Sequence, residues 1–66
     1  MTIKDLTLGT VINYTDMAND SDWVVLDSFN DDFGSWVNLL NKETNSIEPK
    51  SANTKLYPRW SIVKAA

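Results

Sequence analysis

Carboxylates are the side chains of this sequence best suited to catalysis or metal binding, and most of them lie in two groups. DMANDSDW, which begins at Asp16, holds three aspartates before a tryptophan, and NDD, which ends at Asp32, holds two more. Asp20 with Asp22, or Asp31 with Asp32, could serve as an acid–base pair or hold a divalent cation. However, acid–base hydrolysis of a sugar needs a deep cleft, and a calcium loop needs a glycine and a distal glutamate that are missing here. We therefore expect no catalytic residues and no metal site.

The other side chains of common catalytic sites are absent. The chain has no histidine and no cysteine, so the usual general base, thiol nucleophile and zinc thiolate are missing. Its two glycines, Gly9 and Gly34, do not form a phosphate-binding loop. These absences predict a protein that is not an enzyme and uses no cofactor.

The charges are divided unevenly along the chain. Residues 1–41 contain seven aspartates and one lysine, a net charge of −6, whereas residues 42–66 contain five basic and two acidic side chains, a net charge of +3. Together these give the overall charge of −3. Such a division predicts either two halves that fold against each other or a molecule with an acidic face and a basic face.

Short strands must position these residues. Runs rich in β-branched and aromatic residues predict strands near 10–14, 23–29, 36–41, 45–48 and 59–64, each bounded by turn-forming residues. Pro49 should end the fourth strand early, because proline cannot donate a hydrogen bond to a sheet. A single helical turn is expected near residue 55. The prediction is one all-β domain over residues 1–66, a small five-stranded barrel, because closure removes exposed sheet edges.

This layout resembles the Src-homology-3-like small barrel. The family's long first loop, shorter second loop, tight hairpin and helical turn would correspond to residues 15–22, 30–35, 41–46 and 54–58. NYTD lies where the peptide-binding family has an aromatic cluster, and Trp36 opens the third strand after an acidic loop. The family's two peptide-binding signatures are absent, so the resemblance implies a fold rather than a ligand.

Alternation along the strands predicts which side chains form the core. Asp27 should not be buried without a partner, so the face of the second strand that carries it is expected to point outward. Trp23 and Trp36 would then lie at least partly outward, although both strands are apolar enough at their ends for the opposite assignment. The predicted core consists of Ile12, Val24, Leu26, Val37, Leu39, Leu56 and either Ile62 or Val63.

The two acidic loops are expected to flank one end of the barrel. They would surround Trp36 with carboxylates, an arrangement suited to a partner bearing Lys or Arg. The rival interpretation is that these loops only keep a small protein soluble. The predicted partner-binding residues are Tyr14, Asp16, Asp20, Asp22, Asp31, Asp32, Phe33 and Trp36.

The predicted function is therefore non-catalytic binding of a basic or nucleic-acid-handling protein. In size and composition the chain resembles bacteriophage accessory proteins that bind and inhibit a host enzyme. One alternative is an assembly component that self-associates head to tail, the acidic half of one copy against the basic half of the next. A second is single-stranded nucleic-acid binding by the basic C-terminal third, with Tyr57 and Trp60 stacking on bases, against which the acidic composition argues.

The sequence also gives an expectation about location. No apolar run approaches the roughly 20 residues needed to cross a bilayer. The segment MTIKDLTLGT lacks the basic start and apolar stretch of a secretory signal. We expect a cytoplasmic protein without a membrane partner.

Overall fold

The computed structural model describes all 66 residues and shows an all-β protein, as predicted. Its five strands form one antiparallel sheet in the order β4-β3-β2-β1-β5. The sheet is not closed by hydrogen bonds between β4 and β5, so it is an open, curled sheet rather than a complete barrel. The strands are β1 (Val11–Thr15), β2 (Asp20–Asp31), β3 (Gly34–Asn41), β4 (Ile47–Ser51) and β5 (Trp60–Lys64).

β2 is much longer than the sequence predicts. It spans 12 residues and includes positions assigned to both acidic loops. Only residues 16–19 connect β1 to β2, and only residues 32–33 connect β2 to β3. The long first loop expected from the Src-homology-3-like layout is therefore absent, and Asp20 and Asp22 lie within a strand. Pairing with β1 extends the first end of β2, and pairing with β3 extends the other.

A bulge in β2 reverses the side chains predicted to be buried. Val25 pairs with Leu39, but Asp27 pairs with Asn38, so Leu26 is an extra residue between two successive pairs. An extra residue interrupts the strict alternation of a strand. Val25 can therefore point inward while Asp27 points outward. The prediction assumed that these two residues share a face, and it was wrong for β2: Val24 and Leu26 are only half-buried.

The core lies on the concave face of the sheet. Trp23 is 7% exposed and belongs to this core, so the prediction that it points outward was wrong. Ile62 and Val63 were also predicted wrongly, since both are exposed on the edge strand. The predictions for Ile12, Val37, Leu39 and Leu56 are confirmed. The complete set of buried apolar residues is Ile3, Ile12, Trp23, Val25, Val37, Leu39, Ala52, Leu56 and Trp60.

The N-terminal segment closes one end of this core. Its backbone runs beside the connection between β4 and β5, where Ile3 N–H donates to Thr54 O at 3.0 Å and Leu56 N–H donates to Met1 O at 3.1 Å. This pairing buries Ile3 completely. The helix expected near residue 55 does not form, and residues 57–59 make a turn outside any helix. The structure instead has a 3-10 turn near the start of the sequence, at Ile3–Asp5.

Pro49 does not end β4. It pairs with Asn38 in the middle of the strand, contrary to the prediction. The structural reason is that β4 is an edge strand, where a residue can turn its missing N–H away from the sheet. The two outermost strands, β4 and β5, thus leave one side of their backbone unpaired.

Candidate protein-binding surface

The eight predicted binding residues fall into two groups at opposite ends of β2. Tyr14, Asp16, Asp20 and Asp22 lie at its beginning, and Asp31, Asp32, Phe33 and Trp36 lie at its end or on the adjoining part of β3. A strand of 12 residues separates its ends by on the order of 30 Å. This is close to the longest dimension of the molecule, 32 Å. The single acidic surface around Trp36 that the loops were expected to form is therefore not present.

The second group, together with Phe29 opposite Trp36, lies on one hairpin, and we call these residues the hairpin tip (Phe29, Asp31, Asp32, Phe33 and Trp36). One carboxylate oxygen of Asp31, Oδ1, accepts the backbone N–H of Phe33 at 2.8 Å and that of Gly34 at 3.1 Å. The same oxygen accepts the indole Nε1–H of Trp36 at 2.9 Å. These bonds fix the turn and the Trp36 ring to each other.

The same bonds keep Asp31 negatively charged. The Trp36 indole N–H, followed by the Phe33 N–H, lowers the pKa of Asp31 because both donors stabilise the ionised carboxylate. Asp32, next to it in the turn, is exposed, and its carboxylate accepts no hydrogen bond from within the chain. The hairpin tip therefore presents one fixed carboxylate and one free carboxylate.

Aromatic side chains of the hairpin tip lie open to solvent. Phe33 is 89% exposed and Phe29 is 39% exposed, whereas Trp36 is half-buried. Phe29 pairs directly with Trp36 across the β2–β3 ladder, so their side chains lie on the same face. Phe29 was not among the predicted residues, because the sequence predicts a loop over residues 30–35 rather than the two-residue turn at 32–33 that sets its pairing with Trp36.

The first group has structural work within the β1–β2 turn. Asp16 Oδ1 accepts the N–H groups of Ala18 at 2.8 Å and Asn19 at 2.7 Å, and its Oδ2 accepts the Tyr14 hydroxyl at 2.9 Å. Hydrogen bonds lower the pKa of Asp16 to about 2, with the largest effect from the backbone N–H of Ala18 and the next largest from the Tyr14 hydroxyl. The bond to Asp16 raises the pKa of Tyr14, because it favours the protonated phenol. These two residues hold the turn closed.

Asn13 holds the two remaining carboxylates of this group. Its side-chain Nδ2 donates to Asp20 Oδ1 at 2.7 Å and to Asp22 Oδ1 at 2.9 Å. The three residues lie on the convex face, since Asn13 pairs with Asp22 and Ile12 beside it points into the core. The structure contains no cluster of three or more acidic, cysteine or histidine side chains suited to a metal ion. Nothing in the sequence pattern distinguishes Asn13 from other polar residues of the strands.

A cleft of about 730 Å³ opens on the concave side of the sheet. Its aromatic wall is formed by Tyr14, Trp23 and Trp60, with ring centroids 4.8 Å apart for Tyr14–Trp60 and 6.2 Å apart for Trp23–Trp60. Lys50 Nζ lies 5.9 Å from the centre of the Trp23 ring. Of the two rings named for base stacking in the second alternative, Trp60 is only 6% exposed, whereas Tyr57 is 73% exposed.

Comparison of the chain with protein-family models, curated proteins and solved structures finds no match. The structure has no helix of the length and apolar character that a bilayer crossing requires. The function must therefore be argued from the geometry of this chain.

Proposed function

We propose that this protein is a non-catalytic binding domain whose hairpin tip docks onto a basic protein. The observation that carries the proposal is Phe33: a large apolar side chain, 89% exposed, at the end of a turn that Asp31 fixes in place. An exposed aromatic on a rigid support is a common anchor of protein interfaces, because it can be buried without first being ordered. The same chemistry predicted from the sequence is thus assigned to one end of β2.

The surroundings of Phe33 favour a partner that carries Lys or Arg. Asp31 and Asp32 lie beside the aromatic rings, and neither β2, its turn nor β3 contains a lysine or an arginine. A cation on the partner could contact the face of a ring while pairing with a carboxylate. Asp32 is the better candidate for that pairing, because Asp31 already accepts three hydrogen bonds.

The other four predicted residues receive a smaller part in this proposal. Tyr14 and Asp16 bind each other and the turn, and Asp20 and Asp22 share the amide of Asn13. Their negative charge can raise the association rate with a basic partner through long-range attraction. They lie too far from Phe33 to contact the same small patch of a partner.

The broader parts of the proposal rest on composition. We propose a cytoplasmic protein whose partner is basic or handles nucleic acid, and which inhibits that partner by occupying the surface where phosphates would bind. The Src-homology-3-like relationship is also kept as a proposal about the fold. Its support is a five-stranded antiparallel order in which the last strand returns beside the first.

The test is affinity capture of the partner, followed by titration of the purified partner with matched variants. Phe33→Ala and Asp32→Lys should each weaken binding by about tenfold or more, because each removes one element of the anchor. Met17→Ala is the control, since Met17 is fully exposed in the β1–β2 turn at the other end of β2. High salt should weaken the wild type more than Asp32→Lys. Equal affinity of Phe33→Ala and Met17→Ala would refute docking through the hairpin tip.

A further inference from the structure

We propose that this chain also assembles with itself head to tail, by pairing β5 of one copy with the distal half of β2 (residues 27–31) of the next. The two segments are free sheet edges with opposite charge. This assembly uses backbone edges and needs no other protein, but it includes Phe29 and Asp31 of the hairpin tip, so assembly and docking compete for that end of β2.

The outer edge of β5 offers unpaired backbone groups. β5 binds β1 through Ser61, which pairs with Asn13, and just before the strand the Arg59 carbonyl accepts Thr15 N–H at 2.9 Å. Because hydrogen bonds alternate along an antiparallel strand, the N–H and C=O of Ile62 point away from β1. The neighbouring Ile62 and Val63 side chains are 47% and 55% exposed. No proline or charged residue precedes Lys64 in the strand, and the register shift opposite Val11 and Ile12 makes Val63 an extra, bulged residue, so the regular outer edge ends at Ile62.

The distal half of β2 is a second free edge. β1 pairs only with residues 20–24, and the segment before β1 bonds only to Val25. Beyond the bulge, β2 bonds to β3 alone, through a hairpin that begins at the Asp31–Gly34 pair. The pair that flanks such a two-residue turn is hydrogen-bonded, so Ser28 and Asn30 direct their N–H and C=O groups outward. This edge is exposed along its whole length.

β4, the remaining edge strand, is protected. Ser46 and Ala52, which flank it, bond to β3 at 2.8 Å and 3.0 Å. The alternation of hydrogen bonds then places the residues at 47, 49 and 51 with their backbone groups outward. Pro49 has no N–H to offer at the middle of the three, so this edge is a poor template for another strand.

Charge selects the pairing between the two open edges. Arg59 and Lys64 flank the apolar part of β5, and Asp27 and Asp31 flank Phe29 in β2. An antiparallel pair of these unlike edges brings opposite charges together, whereas β5 with β5 brings together only positive ones. Contact between unlike surfaces propagates, so the expected product is a chain or ring of copies rather than a closed dimer.

Two proline substitutions test the assignment, because each removes one outward N–H that has no partner within the fold. Ile62→Pro blocks the β5 edge and Ser28→Pro blocks the β2 edge. Sedimentation over a concentration series should show larger assemblies for the wild type and monomers for each variant alone. An equimolar mixture of the variants should form a 1:1 dimer, since each retains the edge that the other lacks.

Other outcomes would overturn the proposal. A wild type that stays monomeric at millimolar concentration would do so, as would a mixture that does not dimerise although both variants are folded by circular dichroism. Self-association of Ser28→Pro alone would show that β5 pairs with β5. Should either proline variant fail to fold, Lys64→Glu replaces it. This variant should associate with itself about tenfold more weakly than the wild type does, and an unchanged affinity would refute the charge argument. None of these readouts depends on another protein.

Discussion

Two neighbouring valines in β2 give a sharp test of which face of the sheet is buried. Val25 is 2% exposed in the core, whereas Val24 lies half-buried on the convex face. Replacing either by alanine removes the same two carbon atoms from the same strand, so each variant controls for the other. Any difference in their stability must therefore come from burial.

The magnitude follows from the number of carbon atoms lost. At about 0.8 kcal/mol for each buried CH₂, Val25→Ala should lose roughly 1.6 kcal/mol of transfer free energy. The cavity left in the core brings the total to about 2–3 kcal/mol. Val24→Ala leaves no enclosed cavity and should cost about 0.5–1 kcal/mol. The whole domain is expected to have an unfolding free energy of roughly 3–10 kcal/mol, so Val25→Ala is a large perturbation.

Urea unfolding followed by tryptophan fluorescence measures both variants, since Trp23 and Trp60 are buried in the native state. The midpoint of thermal unfolding should fall by about 8–24 °C for Val25→Ala and by about 2–8 °C for Val24→Ala, given about 4–8 °C per kcal/mol in a domain this small. A larger loss for Val24→Ala would mean that Val24 and Leu26 form the core. The bulge at Leu26 would then be absent, and Val25 would lie on the outward face with Asp27.

Two further predictions concern the turns. The pKa of Asp16 is about 2 in the folded state, below its ordinary value, so its stabilising effect is present above about pH 4 and is lost as the pH falls toward 2. Denaturant titrations at several pH values should show a smaller loss of stability on acidification for Asp16→Asn than for the wild type; equal pH dependence would contradict the hydrogen bonds. Gly34 has a φ of +138° with open space around its Cα, so Gly34→Ala should destabilise the hairpin through backbone strain alone, by about 1–3 kcal/mol. An unchanged midpoint of urea unfolding in that variant would show that the turn adopts another conformation.

The all-β class and most of the strands could be predicted because their signal is local. Alternating apolar residues located β1, β3 and β5, and the alternation within β3 correctly buried Val37 and Leu39. The prediction of the buried face of β2 was wrong because one inserted residue, Leu26, reverses the alternation. Nothing in the sequence marks Leu26 as the bulge. Asp27 is exposed, as inferred, and its carboxylate accepts a hydrogen bond from Asn38 Nδ2 at 2.7 Å. The same outward orientation could not be extended to Val25, because the bulge lies between the two residues.

The candidate site was predictable in composition and not in arrangement. The residue types of the hairpin tip were recognised from the sequence, including Phe33 and Trp36. Their separation from Tyr14 depends on the length of β2, which pairing with two different neighbours extends beyond its apolar run. Asn13 is a polar residue in an ordinary strand, and its contacts with Asp20 and Asp22 arise from cross-strand register.

The pairing of β5 with β1 has a consequence for the order in which the chain can fold during its synthesis. β2, β3 and β4 can join as successive hairpins while the chain is still being made, because each contacts the strand before it. Tyr14 meets Trp60, and Ile3 meets Thr54, only after residues 54–60 have emerged from the ribosome. The concave face around Val25 and Leu39 stays incompletely covered until then. The nascent chain therefore passes through a late stage that exposes apolar surface, and its last strand completes the fold.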